Sequence, residues 1–148
     1  MKFKLKNFNE LSVDELYRLL RLRQEVFVLE QACFYQDLDG KDRIAQQLWL
    51  EDDKGEILAS CRLFKRGDFF LDAASIGRVI TSKKVRKKGL GRMLLQEALL
   101  ILNAQNEKKI TIEAQCYAKS FYEKIGFHPI SDVFLEDGIE HLLMSLEF

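Results

Sequence analysis

Residues 76–94 read IGRVITSKKVRKKGLGRML, and the order of residue types within them decides the fold. The β-branched run IGRVIT has the composition of a strand. Leu90, Met93, Leu94, Ala98, Ile101 and Leu102 then recur at the spacing of one helix face, which predicts a helix from about Leu90 to Gln105. Between strand and helix stands RKKGLGR (86–92), with four cations where a helix start, itself partly positive, usually gathers Asp and Glu. Peptide N–H groups at a helix start lack partners within the helix and form an anion site. Gly89 and Gly91 permit tight, left-handed backbone and a close approach by a phosphate. Arg86, Lys87, Lys88 and Arg92 have no acidic neighbour in the local sequence. Together these features point to a polyanion such as a pyrophosphate. The same run would also serve as a solvated basic turn whose glycines only permit the bend.

Outward from this unit, strand and helix signals fill the chain. Residues 2–8 read as a strand, and Leu11-Ser12-x-x-Glu15-Leu16 fits a capping box with its hydrophobic staple. Leu16, Leu19, Leu20, Arg23 and Phe27 continue at helical spacing, so a helix is expected to about Glu30. QACFYQDLDGKD (31–42) reads as a loop, and IAQQLWLED with ILASCRLFKR as a hairpin turning at Lys54-Gly55. KKITIEAQ (108–115) reads as a strand, and AKSFYEKIGF as a short helix stopped by Gly126 with Pro129 beyond. A last hairpin turns at Asp137-Gly138. Hairpins demand antiparallel pairs, while the alternation of strands and helices covers the faces. The expectation is one α/β (α+β) domain over residues 1–148 with a mixed sheet.

Composition narrows the function classes. Lys+Arg and Asp+Glu both total 23, which argues against a chain whose main task is to coat nucleic acid or an acidic membrane. Six of the cations nonetheless lie in 83–92, so a nucleic-acid contact there is one alternative. The alternating MKFKLKNF lacks the apolar core of a signal peptide, and no run has the length of a membrane span. Cys33, Cys61 and Cys116 form no C-x-x-C pair and leave one thiol over under any pairing, which reads as reduced cysteines in a cytoplasmic protein. The two histidines have no metal-ligand spacing, so no metal is expected.

Neither G-x-x-x-x-G-K-[ST] nor G-x-G-x-x-G is present. Arg86-x-x-Gly89-x-Gly91 after a strand instead resembles the Q/R-x-x-G-x-G/A motif of the GNAT N-acetyltransferases. Gln115-x-x-Ala118-x-x-Phe121-Tyr122-x-x-x-Gly126-Phe127 is similar to the N-x-x-A-x-x-F-Y-x-x-x-G-F pattern after that family's fifth strand, with Gln for the usual Asn. LRQEVFVLEQACFYQDLDGKD, IGRVI and EDGIEHLLM resemble its ElaA-like branch. The resemblance implies a largely antiparallel sheet of six to seven strands, about four flanking helices, and a splay between strands four and five. It implies acetyl-CoA as co-substrate, held at the pyrophosphate by Arg86, Lys87, Lys88, Gly89, Leu90, Gly91 and Arg92. It further implies pantetheine bonded to unpaired backbone at Val79, Ile80 and Thr81, with Gln115, Ala118, Phe121 and Tyr122 beside the cofactor. An N–H near Val79 would polarise the thioester carbonyl, and Tyr122 would bond the departing sulfur. A free tyrosine titrates near 10 and a thiol near 8.5, so full proton transfer is uphill by roughly 2 kcal/mol, and a hydrogen bond is expected instead.

The acceptor side is less defined. A primary amine must first lose a proton, costing about 4–5 kcal/mol at pH 7 for a lysine-like group. Many family members place a Glu on the fourth strand for this, where alignment on Arg86 puts Gly77 or Arg78. The remaining base candidates are Glu113, His141, Glu25 and Glu30. Arg23, Arg62 and Arg78 would bind an acceptor carboxylate or, more simply, pair with Asp72, Glu25 or Glu113 within the fold. Tyr35, Asp37 and Asp39 fall in a loop expected to border the acceptor pocket, and Cys116 reads as a small core residue. The reading is direct attack of a primary amine, on a small molecule or a protein, upon the thioester. A coenzyme A-binding module without catalysis is the alternative, and a homodimer is left open.

Overall fold

In the computed structural model, which describes residues 1–148, eight strands form two half-sheets. Strands β1 (Lys2–Asn7), β2 (Gln46–Glu51), β3 (Ile57–Phe64) and β4 (Ser75–Thr81) run antiparallel in that order. In the second half-sheet, β5 (Lys109–Gln115), β6 (His128–Pro129) and β7 (Phe134–Glu136) all pair with β8 (Ile139–Glu147), again antiparallel. The helices are α1 (Val13–Arg23), α2 (Leu90–Ala104) and α3 (Lys119–Ile125).

Burial explains the layering. All of β3 and nearly all of β2 are buried, because helices cover both faces of the first half-sheet. Leu94, Leu95, Ala98 and Leu102 of α2 pack on Leu48, Leu50 and Leu63, and on Ile110 and Met144 of the second half-sheet. Leu19 and Leu22 of α1, with Val26, pack on the opposite face against Trp49, Ile57 and Ile80. The capping box is formed at the start of α1. The Glu15 N–H donates to Ser12 Oγ at 3.0 Å, and the Ser12 N–H donates to Glu15 Oε1 at 2.9 Å.

The two half-sheets touch at one place. The Ala74 N–H donates to the Lys109 carbonyl and the Thr111 N–H to the Ala74 carbonyl, both at 2.9 Å, forming an isolated parallel bridge with Ile110. Beyond Ala74 no backbone bond joins β4 to β5, so the strands splay as expected. Strand and helix counts differ from expectation because β6 and β7 are short, and because several turns of helix are not α. The helix predicted to reach Glu30 does so, but Gln24–Glu30 is π-helical. Its wide turns continue at the C-terminal end, where Gln31 N–H reaches the Val26 carbonyl and Cys33 N–H the Val28 carbonyl.

Candidate active site

The splay opens a cleft of about 780 Å³. The residues expected to hold the cofactor line it, apart from the exposed Lys88, and of the base candidates Glu113 and His141 line it while Glu25 and Glu30 do not. The cleft has two ends of different construction.

At one end stands the start of α2. Gly89 is left-handed (φ +75°), as is Lys87 (φ +65°), and this turns the chain abruptly into the helix. The first bond closing the helix is from the Met93 N–H to the Gly89 carbonyl, so the N–H groups of Leu90, Gly91 and Arg92 have no partner within it. Gly91 is there for space. A Cβ on it would lie 3.4 Å from Thr81 Cγ2 and 3.6 Å from Phe121 Cζ. Arg86 departs from the expectation of an uncountered cation, because Glu30 reaches it from the π-helical segment and accepts from both terminal nitrogens. That contact holds the Glu30 carboxyl below its usual range, which removes it as a base. Glu25 pairs with Arg21 at 3.3 Å, away from the cleft.

Along the splay, β4 offers peptide groups. The Ser82 N–H donates to the Leu58 carbonyl at 2.8 Å, and the register pairs Ile80 with Ser60. Antiparallel pairs alternate, so Ile80 spends its peptide groups on Ser60, while those of Val79 and Thr81 face the open edge. The expectation of three unpaired residues is corrected to two, Val79 and Thr81, and the Thr81 carbonyl accepts from Arg86 Nη2 at 3.4 Å. A β-bulge at Arg78-Val79, opposite Cys61, explains the local geometry. Arg78 sits there at φ +50°, its Nε 2.7 Å from Asp37 Oδ1.

Across the gap, Tyr122 on α3 packs edge-on against Phe121 and Phe127, with centroids at 5.2 and 5.9 Å. Burial raises its phenol further above the usual tyrosine value, with Tyr117 and Cys61 adding to the effect. A phenol that is harder to ionise donates hydrogen bonds more readily than it gives up its proton. Gln115 exchanges amide hydrogen bonds with Gln31 at 3.2 and 3.3 Å, tying the π-helical segment to β5 over the cleft.

The other end is built from side chains. The expected partners of the three arginines, Asp72, Glu25 and Glu113, are not the ones used. Asp72 bonds Lys109 instead. Asp42, buried, accepts from Arg23 at 2.6 Å and from Arg62 at 3.2 Å, while Asp39 accepts from Arg62 at 2.6 and 2.9 Å. Asp37 bridges Arg23 and Arg78. Burial alone would raise the Asp39 and Asp42 carboxyls, but the guanidinium groups hold both well below the ordinary range. Three arginines and three aspartates thus close on each other and fasten the 33–45 loop as a wall of the cleft. Tyr35 completes the wall, its phenol pushed up to about 12 by burial, with Asp37 adding to the rise.

Opposite this wall, β5 and β8 turn Glu113, Gln115 and His141 to one face, since Gln115 and His141 are directly paired. Glu136 joins them from β7. The Glu113 carboxyl is pushed up to about 7, by desolvation first and then by hydrogen-bonding contact with Glu136. His141 Nδ1 lies 2.8 Å from the Ile139 carbonyl, which only accepts, so a proton is assigned to Nδ1. Nε2 stands 4.0 Å from Glu136. The tight turn at Asp137 and Gly138 (φ +52° and +76°) brings Glu136 here. Sequence reading identified that turn but missed Glu136 as a site residue, because nothing in EDGIEH distinguishes one solvated Glu from another.

Comparisons with known proteins agree with this geometry. The profile of the acetyltransferase (GNAT) domain family matches residues 9–148. Protein ElaA of Escherichia coli is 39% identical over 144 residues, covering 94% of this chain and 92% of its own. Its crystal structure superposes with a TM-score of 0.90 at 36% identity over 99% of each chain. A crystal structure of an acyl-CoA N-acyltransferase from Pseudomonas aeruginosa gives 0.90 at 35% identity, also over 99% of each chain. A UPF0039 protein of Schizosaccharomyces pombe is 38% identical over 149 residues, covering 99% of this chain and 97% of its own. No helix is long and apolar enough to cross a membrane.

Proposed function

The chain belongs to the GNAT acetyltransferase family, in its ElaA-like branch, and from that premise we propose that it transfers an acetyl group from acetyl-CoA to a primary amine. The observation that carries the reading is the alignment, along one cleft, of unbonded N–H groups at Leu90, Gly91 and Arg92, free strand edge at Val79 and Thr81, and the Tyr122 phenol. A pyrophosphate would take the helix N–H groups, with Lys87 and Arg92 supplying charge and Arg86 positioned by Glu30. The pantetheine arm would add to the β4 edge as a strand does. The thioester then falls between the Val79 peptide and the Tyr122 hydroxyl. The N–H stabilises charge growing on the carbonyl oxygen, and the phenol bonds the sulfur as it departs. The amine attacks directly, since Cys116 packs against the core as expected and no enzyme nucleophile is needed. Glu113 and His141 are the proton acceptors within reach of the cleft's other end.

Incubation with acetyl-CoA and a panel of amines, amino acids and peptides, with titration of released thiol, tests the reading. Thiol release that depends on the amine is expected. Coenzyme A should also raise the unfolding temperature in proportion to the logarithm of its concentration. Absence of that protection at high coenzyme A concentration sinks the assignment.

A further inference from the structure

We propose that Glu113 is the base that takes the acceptor's proton, and that Glu136, carried on the β7–β8 hairpin, is the positioning residue beside it in the cleft. This rests on the transferase reading above. Strand β4 supplies no carboxylate to the cleft, since Gly77 has no side chain and Arg78 is neutralised by Asp37. The carboxylates come from the opposite half-sheet, with Glu113 from the middle of β5 and Glu136 from the end of β7. Both line the same cleft as Tyr122 and Val79, and Glu136 is the charged group that most raises the Glu113 carboxyl.

The charged groups around Glu113 explain why it differs from its neighbours. From the β7–β8 hairpin it faces Glu136, Asp137 and His141; from the 41–43 turn, Lys41; and from β4, Arg78. Arg78 is already committed to Asp37, and Arg62 to Asp39 and Asp42. Lys41, seated over the Phe69 ring at 4.4 Å, takes part in no ion pair. Desolvation and Glu136 therefore outweigh the cations, and the Glu113 carboxyl rises to about 7. A carboxylate so placed attracts an ammonium and has a proton affinity matched to neutral pH.

The step balances as follows. One N–H bond of the acceptor ammonium breaks and its proton moves to a Glu113 oxygen. The freed lone pair forms the C–N bond to the thioester carbon, and the C–S bond breaks with its electrons going to sulfur. The amide nitrogen sheds a second proton, which ends on the coenzyme A thiolate. Glu113 returns its proton to water through Glu136, whose carboxyl is half exposed.

Carbon-13 NMR of glutamate carboxyls, titrated with pH, reads the pair without any acceptor. Wild type should show one carboxyl titrating near 7, absent in Glu113→Gln and moved toward the ordinary glutamate range in Glu136→Gln. An ordinary titration of Glu113 in wild type, or one unmoved by Glu136→Gln, overturns the proposal. With an amine that turns over, kcat/KM should rise with pH through about 7, because only the ionised carboxylate accepts a proton. Glu113→Gln should lower it about 10²–10⁴-fold at neutral pH, while Glu136→Gln should shift that limb to lower pH. Wild-type turnover matched by Glu113→Gln refutes the base and leaves the transferase standing. Absence of coenzyme A protection removes the transferase first.

Discussion

The two ends of the cleft are made of different materials. The end proposed for the donor is mostly backbone: a helix start, two glycines, and the free edge of a strand. The end proposed for the acceptor is almost all side chain, with a carboxyl pair from the second half-sheet facing a closed set of arginines from α1, β3 and β4 and aspartates from the 33–45 loop. Backbone groups are the same whatever the sequence, so the first end depends on conformation, and on residue identity chiefly where Gly89 permits the turn and Gly91 leaves space. The other end depends on side-chain identity, since its ion pairs also hold the 33–45 loop in place.

The largest expected effect tests the side-chain half. Asp42→Ala removes the carboxylate shared by Arg23 and Arg62, both 2% exposed. Breaking such a buried pair costs about 3–5 kcal/mol, so urea unfolding should show a loss of that size. Tyr122→Phe comes next. A hydrogen bond to a charged group contributes about 1.5–3 kcal/mol, so kcat should fall roughly 10- to 150-fold with coenzyme A affinity unchanged. Equal kcat in the two proteins would strip Tyr122 of its role and leave it a core aromatic. At the donor end, Gly89→Ala forces a side chain into the left-handed region at a cost of about 1–2 kcal/mol. Calorimetry should find that loss, together with weaker coenzyme A binding. The smallest effect separates two adjacent lysines. Lys87→Ala should weaken coenzyme A by an amount equivalent to about 0.2–1 kcal/mol, fading at high salt, and Lys88→Ala by less, since only Lys87 lines the cleft.

The same contrast decides what could be read from the sequence. The strand–turn–helix at 75–104 was legible because glycines at fixed positions and a periodic apolar face are local properties. The capping box at Ser12 and Glu15 and the turns at Gly55 and Gly138 were legible for the same reason. The π-helical widening of Gln24–Glu30 was not, since QEVFVLE carries ordinary helical residues and the extra residue per turn is imposed by packing. Nor was the Glu30 contact with Arg86, which joins residues 56 apart. Glu113 could be named as a base candidate, but its partner could not. The Asp37, Asp39 and Asp42 partners looked like a solvated acidic loop, and only the fold turns them inward onto three arginines.

The single residue, Ala74, whose backbone joins the half-sheets has a mechanical consequence. A sheet stitched at one end is a hinge, and whatever fills the gap acts as its missing strand. Substrate binding and completion of the sheet would then be one event, visible in the amides themselves. The Val79 and Thr81 N–H groups should exchange freely with deuterium in the free chain and slow together when coenzyme A is added, while Ile80, already bonded to Ser60, should exchange slowly throughout. The protein would carry in three consecutive residues both the detector of its ligand and the internal standard against which to read it.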